Sequence, residues 1–264
     1  MTSNHGIVTT HIADGLATIT LSRAAASNAL DTATKLDLFQ AVRRVGGDVA
    51  VRAVLLNAEG KNFCVGQDLA EHIDALHADP TRAMETVGVH YNPLIQALSE
   101  LSVPVVVAIR GACVGAGLGI ALAGDIRVVG TGTKFATAFT GIGLASDSGL
   151  THALVHAVGA SRATALLLLG DRFTATEALA WGLVHRVVAD DEVETTAAEI
   201  ARFLAHGPTQ AYRQVKQLVQ AASAGLPDAL ERERIAQETL GATRDHSAAV
   251  EAFLAKTTPV FEGR

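Results

Sequence analysis

The sequence has only two cysteines, Cys64 and Cys113, among its 264 residues. They form neither a disulfide framework nor a CxxC metal pattern, so we expect free thiols that pack as small buried hydrophobes. Positive charge is also scarce, because 21 Lys and Arg stand against 27 Asp and Glu, for a net charge of −6. Nucleic-acid binding needs a basic surface, and this charge balance argues against such a partner.

Long apolar runs and a secretory pattern are missing as well. No stretch approaches the ~18 uninterrupted apolar residues typical of a membrane span. The first ten residues, MTSNHGIVTT, lack a basic region followed by an apolar one. We therefore expect a cytoplasmic protein with no membrane partner. The 49% hydrophobic content is ample for a sizeable core.

Several well-known catalytic and cofactor motifs are absent. A phosphate-binding GxxxxGK[ST] loop is not formed, because Gly60-Lys61 is followed by Asn62. No GxSxG motif supports a serine hydrolase. His152 and His156 are four residues apart, yet they lack the glutamate of HExxH and an evident third ligand. We expect neither a metal nor a cofactor.

One stretch, Val103 to Asp125, carries the strongest pattern in the chain. An apolar run, Val105 to Ile109, stops at Gly111, and five glycines within fifteen residues lead into an Ala/Leu segment. The pattern predicts a buried strand, a glycine loop and a helix start, whose free N–H groups favour negative charge on an oxygen. Ile120 replaces the last glycine of a dinucleotide-binding GxGxxG motif, and no acidic residue follows at the required distance.

A second glycine-containing loop, GKNFCVGQDL at residues 60 to 69, also follows a short buried strand, Ala53 to Leu56, and leads into a helix. Two such loops are able to supply one backbone N–H each to a single oxygen. That is the construction of an oxyanion hole.

The remaining pattern predicts an α/β fold with a mostly helical C-terminal section. Strands are predicted at Ile7 to Ala13 and Leu16 to Leu21, around an Asp14-Gly15 turn, and at residues 126–129, 134–136 and 183–188. Helices are predicted at residues 31–45, 82–101, 148–158, 161–169, 174–182, 190–206, 208–223, 227–243 and 245–256. Asp31 caps the first of these helices, whose apolar stripe is Leu36, Phe39, Val42 and Val45. Thr174 and Glu177 have the spacing of a capping box.

Six segments in order resemble the crotonase family, also called the enoyl-CoA hydratase/isomerase family, over essentially the whole chain. They are LSRAAASNAL, GKNFCVGQDL, RGACVGAGLGIALAGD, IGLASDSG, GDRFTATEALAWGLVHRVV and AFLAKTTPVF. The first departs from the family pattern, with Ala24 in place of a proline and a common lysine missing. The resemblance implies a crotonase-like spiral of ββα units at residues 1–200, and a helical section at 201–264 for oligomerisation and CoA contact. It also implies a homotrimer or a dimer of trimers.

The resemblance implies an acyl-CoA thioester as substrate, with its carbonyl oxygen held by the backbone N–H groups of Gln67 and Ala116. Because the backbone makes these bonds, we expect the side chain of Gln67 to matter little. The implied substrate-binding residues are Arg23, Ala26, Val65, Gly66, Asp68, Leu69, Val114, Gly115, Phe139 and Lys256. From the residues alone, Asp68 is also a helix cap, Asp125 is structural, and Lys256 is equally well a solvated helix lysine.

Hydration in this family uses two glutamates, and the alignment puts Gly119 and Phe139 at their positions. Neither side chain can move a proton. Asp147 falls where family isomerases and a related dehalogenase carry an aspartate, among apolar neighbours that raise its pKa. We therefore favour double-bond isomerisation of an unsaturated acyl-CoA, with Asp147 as acid and base. The alternative for Asp147 is a helix N-cap.

Three other functions remain open at this point. One is a hydratase that uses a non-standard acid, such as Asp147 or one of Glu71, His72, Asp74 and His90 in the segment after the first loop. Another is a protein that binds acyl-CoA without chemistry. The third is a thioesterase with a histidine-activated cysteine nucleophile.

Overall fold

The computed structural model describes residues 7–222 and 225–264. Within them the strands are Val8–Ala13 (β1), Leu16–Leu21 (β2), Ala53–Ala58 (β3), Val105–Ile109 (β4), Ala112–Val114 (β5), Ile126–Gly130 (β6), Lys134–Ala136 (β7), Phe173–Thr174 (β8) and Arg186–Val188 (β9). The α-helices are Thr32–Gly47 (α1), Leu69–Ala78 (α2), Asn92–Ser99 (α3), Ala116–Ala123 (α4), Leu150–Leu169 (α5), Ala175–Ala180 (α6), Val193–Ala205 (α7), Thr209–Gln220 (α8), Leu226–Gly241 (α9) and Arg244–Ala255 (α10). Short 3-10 turns occupy Ala24–Ala26 and Thr140–Ile142, and a π-helical turn occupies Val87–Tyr91.

Two sheets organise these elements. The larger has the strand order β1-β2-β3-β4-β6-β9, in which β1 and β2 are antiparallel and every later pair is parallel. The smaller sheet has the order β5-β7-β8. All five residues of β4 are buried, because the larger sheet is covered on both faces. The main core lies on one face, and α7 packs on the other through Val193, Ala197 and Ala201.

Several local predictions are confirmed. Asp14 and Gly15 both have positive φ, at 50° and 77°, in the turn between β1 and β2. The Asp31 side chain accepts a hydrogen bond from the Thr34 N–H at the start of α1. Thr174 and Glu177 form the capping box of α6. The apolar stripe of α1 differs from the predicted one, because Leu36 is 45% exposed.

The observed boundaries correct other predictions. The expected helix at 82–101 is replaced by the π-helical turn Val87–Tyr91 and the shorter helix α3. The two helices expected at 148–158 and 161–169 form the single element α5, within which Gly159 has non-helical backbone angles. The strand expected at 183–188 is confined to β9. The four C-terminal helices are present as α7 to α10, although residue 223 of the second lies outside the described residues.

Asp125 is structural, as expected. Its Oδ2 accepts hydrogen bonds from the Val105 N–H at 2.7 Å and from Lys216 Nζ at 2.6 Å, so it ties α8 to the first residue of β4.

The predicted division between residues 200 and 201 falls inside α7, and it stays a prediction. Within the described residues α5 is, by length and composition alone, apolar enough to cross a membrane, and 17% of the 18-residue window that meets this criterion is buried.

Candidate active site

Strand-like hydrogen bonds hold the two glycine loops side by side. The Cys64 N–H donates to the Ala112 carbonyl at 3.2 Å, and the Val114 N–H donates to the Cys64 carbonyl at 3.0 Å. Both cysteines are free and buried, as expected. A third segment supports the first loop, because Leu30 pairs with Gln67 in a parallel bridge.

This bridge sets the direction of the Gln67 N–H group. Leu30 donates its N–H to the Gly66 carbonyl at 2.8 Å and accepts from the Asp68 N–H at 3.2 Å. In parallel pairing the intervening residue turns its own polar groups to the other side, so the Gln67 N–H points away from Leu30. It has no hydrogen-bond partner within residues 7–222 and 225–264.

The Ala116 N–H is free for a different reason. Ala116 is the first residue of α4, where a backbone N–H has no intrahelical acceptor, and nothing else in the described chain accepts from it. The two loops meet at this atom: a Cβ built on Gly66 would lie 3.4 Å from the Ala116 nitrogen. Gln67 and Ala116 both line one cavity of about 240 Å³.

The cavity wall is mainly apolar. It includes the side chains of Val65, Leu69, Met84, Val87, Phe139 and Leu144. Asp147 is the one carboxylate among the described residues that line it. An apolar chamber with a few polar groups at fixed positions is the usual form of a small-molecule site.

Asp147 lies in the loop between Thr140–Ile142 and α5. Burial raises its pKa above the usual aspartate value, whereas a hydrogen bond from Ser148 and the charge of Lys35 act in the opposite direction. The Ser148 hydroxyl donates to Asp147 Oδ1 at 2.8 Å. The interpretation of Asp147 as a helix cap is wrong, since Gly149 is the N-cap of α5 and the helix has no side-chain cap.

The two positions predicted to align with the hydratase glutamates, Gly119 and Phe139, carry no carboxylate, and Gly119 has no room for one. A Cβ on Gly119 would lie 2.6 Å from both the Cβ and the carbonyl oxygen of Ser148. Phe139 forms part of the cavity wall and is 9% exposed. The described residues therefore contain one acid at the cavity and no second one opposite it.

Nine of the thirteen residues expected at the site line the cavity. They are Val65, Gly66, Gln67, Leu69, Val114, Gly115, Ala116, Phe139 and Asp147. The other four, Arg23, Ala26, Asp68 and Lys256, lie outside its lining. Their contact with CoA stays a prediction.

Arg23 and Asp68 support the first loop. Arg23 Nη1 donates to Asp68 Oδ2 at 2.6 Å, and this bond holds the pKa of Asp68 below its usual value. Asp68 also caps α2 by accepting from the N–H groups of Ala70 and Glu71. Lys256 is exposed and ends α10 with a φ of 56°.

Sequence reasoning missed several residues at or behind the cavity, chiefly Lys35, Thr86 and Tyr91. For Lys35 a signal existed, because it precedes Leu38 by three positions on the buried face of α1. A lysine on an apolar stripe needs a buried partner. Of the four polar residues considered after the first loop, His72 lines the cavity.

One of the alternative functions, the thioesterase, loses support here. Burial raises the pKa of the Cys64 thiol to about 12, and neither cysteine lines the cavity, which disfavours a thioesterase nucleophile. Within the described ranges no three His, Cys, Asp or Glu side chains form a group able to hold a metal ion.

Comparison with known proteins shows the family of this chain. The family model for enoyl-CoA hydratase/isomerase matches residues 11–264. The 1,2-epoxyphenylacetyl-CoA isomerase of Escherichia coli is 36% identical over 262 residues, covering 97% of this chain and 98% of the relative. The trans-2-decenoyl-[acyl-carrier-protein] isomerase of Streptococcus mutans is 32% identical over 255 residues, covering 96% and 97%. Other matches carry hydratase names.

A crystal structure from Mycobacterium abscessus, assigned as an enoyl-CoA hydratase/isomerase, superposes with a TM-score of 0.96. It is 58% identical and covers 97% of this chain and 100% of its own. The sheets, the paired loops and the cavity thus define a protein of the crotonase fold, which confirms the expected α/β architecture. The chain belongs to the enoyl-CoA hydratase/isomerase family, whose members are acyl-CoA enzymes.

Gly66 provides a test of the loop junction. It has a φ of 87°, and an added Cβ would lie 3.1 Å from the Val114 carbonyl oxygen. Gly66→Ala is expected to lower the free energy of unfolding by about 1–3 kcal/mol, because an L side chain is strained at this φ. The affinity for a CoA ester is expected to fall with it. Urea unfolding and calorimetric titration measure the two effects.

Gly47→Ala is the matched control, since nothing lies within 4 Å of the added Cβ at the end of α1. It is expected to raise the free energy of unfolding by about 0.4–1 kcal/mol and to leave CoA-ester affinity unchanged. Equal effects of the two substitutions would contradict the described junction.

Proposed function

We propose that this enzyme moves a carbon–carbon double bond along an unsaturated acyl-CoA by way of a thioester enolate. One observation carries the proposal: Asp147, the single carboxylate among the described cavity residues, shares the chamber with the free N–H groups of Gln67 and Ala116. Relatives with isomerase names also support the proposal.

The two N–H groups supply the electrostatic part of the reaction. Removal of a proton beside the double bond moves negative charge onto the thioester oxygen. Donors held at that oxygen stabilise the charge without reorganising, and each is worth about 10² to 10³ in rate. The loops hold these donors in place before substrate arrives, because N–H groups of Cys64 and Val114 already donate to carbonyl oxygens of the facing loop.

Asp147 supplies the proton transfers. Its carboxylate takes a proton from one carbon of the acyl chain, and the electron pair moves toward the thioester carbonyl. The same carboxyl group then returns the proton to another carbon, and the product differs only in the position of its double bond. Isomerisation by this route needs one carboxyl group and no water, whereas hydration needs two acid/base groups flanking a water molecule.

The environment of Asp147 suits this task. Its raised pKa brings the carboxyl group closer to the acidity of a carbon that must lose and regain a proton. Ser148 fixes one oxygen through its hydroxyl, leaving Oδ2 for the substrate. The site needs no cofactor in this proposal, because the CoA thioester is itself the substrate.

Product analysis tests the reaction directly. The enzyme is incubated separately with a 2-enoyl-CoA and a 3-enoyl-CoA, and the products are identified by chromatography and mass spectrometry. We expect each substrate to give the other isomer with unchanged mass. A hydroxyacyl product of higher mass without double-bond migration would favour the hydratase alternative. Tight binding without turnover would favour a protein that only binds acyl-CoA.

Substitution of Asp147 tests its role. Asp147→Asn is expected to lower kcat about 10² to 10⁴-fold, because an amide cannot act as a base or as an acid of useful strength. Activity of the unaltered enzyme is expected to fall as the pH decreases through the raised pKa of Asp147, since the base form is lost. Steady-state kinetics across pH measure both effects.

Stability separates a catalytic role from a structural one. The folded protein holds the Asp147 proton more tightly than the unfolded chain, so ionisation above the raised pKa costs stability. Asp147→Asn is therefore expected to unfold at the same or a higher urea concentration at neutral pH. Asp171→Asn, at an exposed position, is the control and should keep full turnover. Full turnover of Asp147→Asn would refute the assignment.

We also propose a homotrimer or a dimer of trimers in the cytoplasm. Apolar side chains of the C-terminal helices are exposed in the single chain, with Val219 at 69%, Phe253 at 82% and Leu254 at 76%. Such surfaces suit burial between subunits. Lys256, near the end of the same surface, would then be placed to reach the CoA of a neighbouring subunit.

Light scattering tests the assembly. The mass of one chain is 27.3 kDa, and a particle of three or six chains is expected. A monomeric mass at micromolar concentration would contradict the proposed assembly, while it would leave the chemistry of the cavity untouched.

A further inference from the structure

Lys35 is buried to a degree that is unusual for a lysine. Its side chain is 0% exposed, and it projects from the inner face of α1 toward the first loop. Moving an ammonium group out of water costs several kcal/mol unless its charge and its donors are matched. The surroundings of Lys35 therefore have to compensate for its burial.

Three acceptors match the three donors of the ammonium group. Lys35 Nζ donates to Gln67 Oε1 at 3.0 Å, to Glu71 Oε1 at 3.0 Å and to Thr86 Oγ1 at 2.8 Å. The ring of Tyr91 lies below it, with its centroid 5.2 Å from Nζ. These five residues form a polar cluster, which we call the Lys35 cluster.

Gln67 is held by this cluster through both ends of its amide. Its Oε1 accepts from Lys35 and from the Tyr91 hydroxyl at 2.7 Å. Its Nε2 donates to Glu71 Oε1 at 3.1 Å. A side chain fixed at both ends leaves little freedom at its own Cα, so the direction of the backbone N–H is fixed as well.

The same cluster joins separate parts of the cavity wall. Glu71 belongs to α2, Tyr91 ends the π-helical turn, and Thr86 precedes it. Gln67, Thr86 and Tyr91 all line the cavity. Lys35 thus links α1 to three wall segments, although its own atoms do not line the chamber.

We propose that Lys35 is a positioning residue that acts through the Gln67 amide to aim the Gln67 N–H at the thioester oxygen. The inference rests on the proposed function, because it assigns that N–H to the oxyanion. It also replaces the expectation that the Gln67 side chain matters little. The backbone makes the bond, and the side chain holds the backbone in place.

Lys35→Met tests the role, since methionine has a similar length and no charge. We expect kcat to fall about 10- to 100-fold, because a displaced donor loses part of its bond to the developing charge. KM is expected to change less, since Lys35 itself does not line the chamber. The control is Lys216→Met, which removes another poorly exposed lysine from an ion pair, with Asp125, away from the cavity. It should lower stability and leave kcat unchanged.

An infrared measurement separates this inference from the reaction itself. A saturated acyl-CoA labelled with ¹³C at the thioester carbonyl is bound to each variant, and its stretching frequency is compared with that in water. We expect a lower frequency in the unaltered enzyme and a loss of part of that shift in Lys35→Met. An unchanged shift and kcat in a less stable Lys35→Met would make Lys35 merely structural. A frequency shift without isomerase products would reject the proposed function alone.

A double-mutant cycle tests the route through Gln67. Lys35→Met is expected to have little further effect on kcat in a Gln67→Met background, because the amide that transmits its effect is gone. Additive losses would contradict the proposed route. If Lys35→Met does not fold, Tyr91→Phe removes only the 2.7 Å hydrogen bond to Gln67 Oε1, and the same frequency change is expected on a smaller scale.

Discussion

The candidate site depends on two backbone N–H groups that the fold leaves without acceptors. Neighbouring carbonyl groups already accept hydrogen bonds: the carbonyl of Cys64 accepts from the Val114 N–H, and the carbonyl of Gly66 accepts from the Leu30 N–H. An unpaired N–H beside an apolar chamber is costly on its own. Its presence here is consistent with a ligand oxygen that completes the arrangement, and the glycines exist because the two loops have to approach so closely.

Much of the fold and of the candidate site was predictable from the sequence, because the patterns that indicate them are local. Glycine loops after apolar runs, an aspartate cap at Asp31 and the Thr174–Glu177 capping box depend on residues within a few positions of each other. The shared pattern of strand, glycine loop and helix also predicted that the two loops act together, and the resemblance to the family added Gln67 and Ala116 as the donors to a thioester oxygen. Eight of the nine predicted residues that line the cavity lie within the segments that carry this resemblance, and the exception is Phe139.

The rest depends on contacts that no local pattern encodes. Lys35 and Thr86 are 51 positions apart, and their meeting follows from the packing of α1 against the π-helical turn. The turn itself departs from the helix that the periodicity predicts, because an extra residue per turn shifts the apolar positions. The predicted burial of Leu36 was wrong for a related reason. The inner face of α1 includes the charged residue Lys35, which a pattern of apolar spacing does not include.

The close contact between Gly119 and Ser148 limits the substitutions that this protein can accept. Ser148 holds a left-handed backbone with a φ of 53°, and its Cβ and carbonyl occupy the space beside Gly119. A glutamate at position 119 therefore requires a rebuilt turn at 148, the residue next to Asp147. A hydratase therefore cannot arise from this protein by the single substitution Gly119→Glu. The turn at Ser148 has to change as well, and that change would disturb Asp147.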